Sequence, residues 1–281
     1  MNPYYLRILN RFRKPGSRIL LLCAAMLAAM CAPTYAEGID ADYNQTESRP
    51  VTSVYAIEIG QARSLSTYLS PLYYEGTDYS LQGSWTKDFQ RWSDRCVMRF
   101  EAGLDFQNPQ NPVKNASMYN MTARFGWGMG WKKNLWTSWQ VTVGPMLDIY
   151  GGAMYAPRNG NNPVTALAYA GFDATGSISW RGRWGKVPVR IADEVRIPTI
   201  GSFFCPGYGE SYYEIYLGNH SGLVHCGWWG NAFGIDNLLS LRLDLGRTGL
   251  QIGYRFDLRY FKANHLENQL LRNAFHIAVI P

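Results

Sequence analysis

Leu239-Ser240-Leu241-Arg242-Leu243-Asp244-Leu245-Gly246 leads through Arg247-Thr248 into Gly249-Leu250-Gln251-Ile252-Gly253-Tyr254-Arg255-Phe256-Asp257-Leu258-Arg259-Tyr260. Side chains on a strand point to opposite faces with period two, so each arm presents one apolar and one polar face. Strands of globular proteins usually run about five or six residues. These arms keep the pattern nearly twice as long. A strand crossing a bilayer needs roughly 9–11 residues, apolar toward lipid and polar toward a lumen. The stretch therefore predicts an all-β protein, a transmembrane antiparallel β-barrel. A secreted β-sandwich or soluble barrel also alternates, and strand length separates the two readings.

Outward from this hairpin, ten strand candidates can be traced: 52–62, 77–89, 95–106, 117–131, 135–150, 164–181, 186–198, 233–246, 249–262 and 272–280. Eight to twelve strands fit the pattern. Their connections alternate between long (63–76, 107–116, 151–163, 199–232, 263–271) and short (90–94, 132–134, 182–185, 247–248). Outer-membrane barrels have long external loops and short periplasmic turns, with an even strand count. Residues 52–281 are thus expected to form the barrel, preceded by a flexible lead at 37–51.

The N-terminus agrees. Arg7, Arg11, Arg13, Lys14 and Arg18 precede an apolar run from Ile19 to Met30, and Thr34-Tyr35-Ala36 supplies small residues at a cleavage site. Residues 1–36 read as a secretory signal peptide cleaved after Ala36; the run is too short for a spanning helix. The chain carries 27 basic and 21 acidic residues, a formal charge of +6 and a pI near 9.0. The leader holds five of the basic residues and none of the acidic ones, which leaves 22 against 21. The basic pI therefore belongs to the leader, and no nucleic-acid partner is implied. Mean hydropathy is −0.23, yet aromatic residues make up 15% of the chain, as expected for a barrel with a polar interior and aromatic girdles. The expected location is the outer membrane of a Gram-negative bacterium. The expected partners are outer-membrane lipid and the barrel assembly machinery, for a monomer without cofactor or metal.

Alternation assigns Tyr55, Ile57, Ile59, Leu104, Met121, Phe125, Trp127 and Val143 to the outer face. Glu58, Arg99, Glu101, Asp105, Arg124, Asp148, Asp173, Arg190, Glu194, Arg196, Arg242, Asp244, Arg255, Asp257, Arg259 and His276 fall on the lumenal face. A small barrel is filled by its own side chains, so these charges are expected to form a salt-bridged plug, with Gly126, Gly128 and Gly130 making room. A diffusion pore would need more strands.

Ile200-Gly201-Ser202-Phe203-Phe204-Cys205-Pro206-Gly207-Tyr208-Gly209-Glu210-Ser211-Tyr212-Tyr213-Glu214-Ile215-Tyr216 resembles the signature stretch of an uncharacterised family of Bacteroidota envelope proteins, a domain of unknown function. Thr67 to Gly76 and Asn237 through Tyr254 look similar too. The resemblance implies outer-membrane barrel character and a Bacteroidota source, and no activity. The chain ends Ile280-Pro281 rather than on the aromatic residue common at barrel termini; Phe275 is the alternative signal for assembly.

Chemistry concentrates in 199–232. Cys205 and Cys226 are candidates for a disulfide in an oxidising compartment, with free thiols as the alternative. His220, Ser221 and His225, with Glu210 or Glu214, can be drawn as a nucleophile, base and orienter of a rim-located lipid or peptide hydrolase; polar residues of a solvated loop read the same way. Tyr208, Tyr212, Tyr213 and Tyr216 are candidates for stacking on a ligand or for the outer aromatic belt. Tyr212, Glu214 and Tyr216 are expected to continue a strand. Three functional readings follow: a surface binding or envelope-structural barrel, a rim hydrolase, and a narrow solute channel.

Overall fold

Period-two alternation carries the strands further than the turn residues suggest. The computed structural model describes residues 51–89, 95–160, 162–208, 212–218 and 221–281. The predicted signal peptide and all of the lead except Val51 lie outside the described residues. The elements are β1 (Thr52–Ser66), β2 (Ser70–Asp88), β3 (Cys96–Gln110), β4 (Tyr119–Trp136), β5 (Trp139–Tyr155), β6 (Val164–Trp184), β7 (Val187–Phe204), one helical turn α1 (Tyr212–Tyr216), β8 (Val224–Trp228), β9 (Ala232–Asp244), β10 (Gly249–Ala263) and β11 (Leu266–Ile280).

All neighbours are antiparallel in the order β6-β5-β4-β3-β2-β1-β11-β10-β9-β7-β8, and pairing of β6 with β7 closes the sheet. β7 pairs with β8 along Ile200–Phe204 and with β9 along Val189–Arg196, with a register change of four residues between them. β8 and β9 are thus one interrupted wall strand, and the barrel has ten strands.

The connections depart from the predicted alternation of long and short. β1 and β2 meet at Thr67–Leu69, and β10 and β11 at Asn264-His265, so 63–76 and 263–271 are mostly strand. Asn264 and His265 both have positive φ (49° and 61°) between the paired residues Ala263 and Leu266. This is the two-residue turn whose backbone twist suits a hairpin. Asn and His both tolerate that conformation, but Asn-His is not the Asn-Gly or Asp-Gly pair that signals such a turn, which is why the sequence hides it. Only 205–223 is a long connection. The β4–β5 turn sits at Thr137-Ser138 rather than 132–134.

The outer wall is apolar in continuous rows. Ile252, Ile277, Ile57, Leu81 and Leu104 are successive cross-strand partners on β10, β11, β1, β2 and β3, each 44 to 58% exposed. A second row starts at Phe100, four residues from Leu104 on β3, and runs through its partner Trp127 to Leu147, Phe172, Ile200 and Trp228 on β5 through β8. Leu241 on β9 joins Ile252 to Ile191. Toward the short turns, Trp136, Trp139 and Trp180 stand side by side, and Trp85 Nε1 donates to Tyr55 Oη at 3.3 Å. Toward the long connection, Tyr119 stacks on Tyr155 with centroids 6.4 Å apart.

Candidate functional site

The lumen is built in three layers. At the long-connection end, Tyr74, Met118, Met154, Tyr169, Phe203, Phe261 and Leu270 form a buried apolar cluster, and buried Ser64, Gln107 and Asn120 are hydrogen-bonded to one another in the same end of the lumen. Phe203 lies 5.4 Å from Phe261, and Phe261 lies 5.8 Å from Tyr169, centroid to centroid. This lid is denser than the sequence reading anticipates, which places only charges in the lumen.

Below the lid stands a lattice of ion pairs. Arg259 makes the join, its guanidinium 4.3 Å above the Tyr150 ring and 3.4 Å from Asp148. Arg124 bridges Asp148 (2.7 Å) and Asp236 (2.8 Å). Arg255 links Asp236 (3.0 Å) to Glu58 (2.8 Å). Arg272 gathers Glu58 (2.5 Å), Asp78 (3.0 Å) and Asp105 (3.0 Å). Arg196 joins Asp148 to Glu101, and Arg99 joins Glu101 (2.6 Å) to Glu194 (2.5 Å). His276 Nδ1 lies 2.8 Å from Glu58. Such charges are tolerated away from water because each is paired and hydrogen-bonded. The connected lattice draws on β1 to β5, β7 and β9 to β11 and crosses the lumen. This is the expected plug. At Gly126 a Cβ would crowd the Met146 sulfur at 3.1 Å and meet Arg196 in ordinary contact at 3.6 Å.

The third layer, at the short-turn end, is open. A cavity of about 220 Å³ begins below the lattice residues Arg99, Glu101 and Arg255 and reaches Thr52, Asp88 and Lys132 near the strand ends. Its wall carries Arg181 on β6, Arg190 on β7 and Arg242 on β9. Arg190 pairs in register with both Arg181 and Arg242, so three guanidiniums stand in one cross-strand row. Arg181 donates to Gln140 at 2.8 Å, Arg242 to Asp244 at 2.7 Å, and Lys132 to Asp88 at 2.7 Å. Sequence reading finds Arg190 and Arg242 as separate lumenal residues and ends the sixth strand at Arg181. The row appears only with the register.

The predicted loop residues are dispersed. Cys205 and Cys226 are free thiols, which corrects the disulfide expectation. Ser202 pairs with Cys226, while the Cys205 amide bonds to Leu223. An offset of three residues puts the two cysteines on opposite faces and about 10 Å apart along the strands, beyond disulfide reach. Cys205 points inward with Sγ 3.6 Å from the Ala263 carbonyl, and burial pushes its thiol up to about 11. Cys226 is exposed.

His225 Nε2 lies 2.9 Å from the Cys205 carbonyl, to which it donates, and its ring packs on Phe203 at 5.5 Å. That nitrogen is therefore occupied by backbone. Ser221 is exposed, and no Ser221–His225 hydrogen bond occurs among the described residues. Glu210 and His220 lie outside the described residues, as do the side chains of Tyr212 and Glu214. Tyr212 to Tyr216 form α1 rather than a strand; the strand extension is β8 instead. Tyr213 and Tyr216, three residues apart and both exposed, share one face of that turn, and Tyr208 is exposed beside them in sequence.

Among solved structures, the outer membrane protease OmpT from Escherichia coli aligns at 6% identity, covering 83% of this chain and 97% of that one, with a TM-score of 0.40. The transport unit of the autotransporter AIDA-I from Escherichia coli aligns at 9% identity over 90% of this chain and 96% of that one (TM-score 0.42). The β domain of the Bordetella autotransporter BrkA aligns at 10% identity over 83% and 99% (TM-score 0.43). No curated protein sequence matches. The family model described as protein of unknown function (DUF3316) matches residues 19–281, nearly the whole length, and the chain belongs to that family.

Proposed function

We propose that this protein is an integral outer-membrane barrel that does not conduct, and that it serves as an envelope-structural or surface-binding element. The observation that carries the reading is the lumen: among the described residues, an apolar cluster and a connected ion lattice are stacked across it. The outside supports the membrane setting. Half-exposed isoleucines and leucines run as cross-strand neighbours, with tryptophans gathered toward the short turns. Water would penalise that surface, whereas lipid removes the penalty. With β1 starting and β11 ending at the short-turn end, that end faces the periplasm and 205–223 faces outward. Exposed Tyr208, Tyr213 and Tyr216 then form the surface available to a ligand.

Planar-bilayer recording of the refolded protein tests the reading, paired with gel mobility before and after boiling. The expected result is a heat-dependent shift with no discrete conductance steps. Unitary steps from the native protein would overturn the closed-lumen reading. A soluble protein without a mobility shift would overturn the membrane setting.

A further inference from the structure

The row Arg181, Arg190, Arg242 is costly by itself. Like charges directly opposite on neighbouring strands destabilise a sheet, and here one arginine has another on each side. The row lies on the wall of the 220 Å³ cavity. The described lining carries Arg99, Lys132, Arg181, Arg190, Arg242 and Arg255 against the carboxylates Asp88, Glu101 and Glu194. Arg99 and Arg255 are bonded into the lattice through Glu101, Glu194, Glu58 and Asp236 and Arg242 pairs with Asp244, while the described lining as a whole carries six arginine and lysine side chains against three carboxylates.

Guanidiniums present donors in a rigid planar fork that matches tetrahedral oxyanions two oxygens at a time. Neutral donors line the same space: Gln140, Ser177 and Ser240. The cavity is too small for a folded partner. We propose that the short-turn mouth of the barrel is a binding site for a phosphate-bearing ligand, held by Arg181, Arg190 and Arg242. Its chemistry is that of a phosphate monoester or diester, whether a soluble molecule or a phospholipid headgroup reaching in from the adjacent leaflet. The lipid source rests on the membrane setting proposed above; the soluble source does not.

The test is titration of the full barrel in zwitterionic micelles with pyrophosphate, followed calorimetrically. A parallel arm uses native mass spectrometry from nanodiscs of phosphatidylcholine with or without phosphatidylglycerol. Saturable binding of pyrophosphate identifies the soluble class, and selective retention of phosphatidylglycerol alone identifies the headgroup. Arg190→Gln and Arg242→Gln should each weaken binding about tenfold, the loss of one charge-assisted contact. Lys133→Gln, an exposed base outside the cavity, should leave it unchanged. Protection from phenylglyoxal provides a readout on the native chain: bound pyrophosphate, or phosphatidylglycerol in its arm, should slow modification of Arg190 and Arg242. Binding in neither arm, equal weakening by Lys133→Gln, or arginines modified at the same rate with and without ligand would overturn the proposal.

Discussion

Arg272→Met should reveal how much of the fold depends on the lumenal lattice. Arg272 is almost completely buried and holds three carboxylates at 2.5 to 3.0 Å: Glu58, Asp78 and Asp105. Glu58 and Asp78 have no exposed surface. Methionine keeps much of the volume and removes the charge. Each contact is worth about 4 kcal/mol of Coulomb energy at the effective dielectric of a protein interior, but burying the guanidinium costs several kcal/mol in return. The net effect of deleting one partner from such a cluster is a loss of about 3–5 kcal/mol, because the remaining charges stay buried without their cation. Glu58 keeps Arg255 and His276, so the burden falls on Asp78 and Asp105.

Asp78→Asn in the Arg272→Met background should therefore recover part of the loss. Neighbours in one network couple by about 0.5–3 kcal/mol, and the double variant should be more stable than the sum of the singles by that amount. Urea unfolding in micelles measures all four proteins, read by tryptophan fluorescence and checked by the fraction running at the folded mobility in cold gels. An Arg272→Met midpoint within about 1 kcal/mol of the native value would refute the reasoning, since the lattice would then be decoration on a barrel held by its wall alone. Strict additivity in the double variant would refute the shared cluster.

Leu81→Arg places a charge in the middle of the outer aliphatic row and should cost about 2–4 kcal/mol in bilayers; a neutral outcome there would show that Leu81 does not face lipid. His265→Gly should stabilise the barrel by about 1 kcal/mol, because glycine adopts the left-handed turn without the steric cost that histidine bears. The same unfolding assay checks it. Maleimide should label Cys226 on the folded protein, while Cys96 and Cys205, both buried, react only after unfolding. Gel mobility should be identical with and without reductant, and a reductant-sensitive band would restore the disulfide.

Much of the wall was legible because alternation is a local property. Ile57 and Glu58 differ by one position and face opposite ways, and no distant contact is needed to know it. The lid was less legible. Tyr74 and Leu270 lie in stretches rich in Ser, Gly and Asn, which read as loops although they are strand. Pairing with a neighbour overrides such weak local preferences. Cys205 and Cys226 misled for the complementary reason: closeness in sequence suggested a bridge, whereas the β7–β8 register separates their faces.

The arginine row marks where reading by pattern stops. Arg190 and Arg242 lie in β7 and β9, whose adjacency depends on how many residues the intervening connection absorbs. The four-residue change between β8 and β9 absorbs part of that connection without moving a side chain to the other face, since four is an even number. An odd change would send Arg242 into the apolar belt beside Leu241 and Ile252, where a charge is expensive. Membrane burial therefore constrains the register only in steps of two. Within the allowed set, Arg242 could face Ala192 or Pro188 instead of Arg190 and avoid a like-charge neighbour. The chain adopts the alignment with the electrostatic penalty, and that choice is what distinguishes a site at the mouth from a merely polar rim.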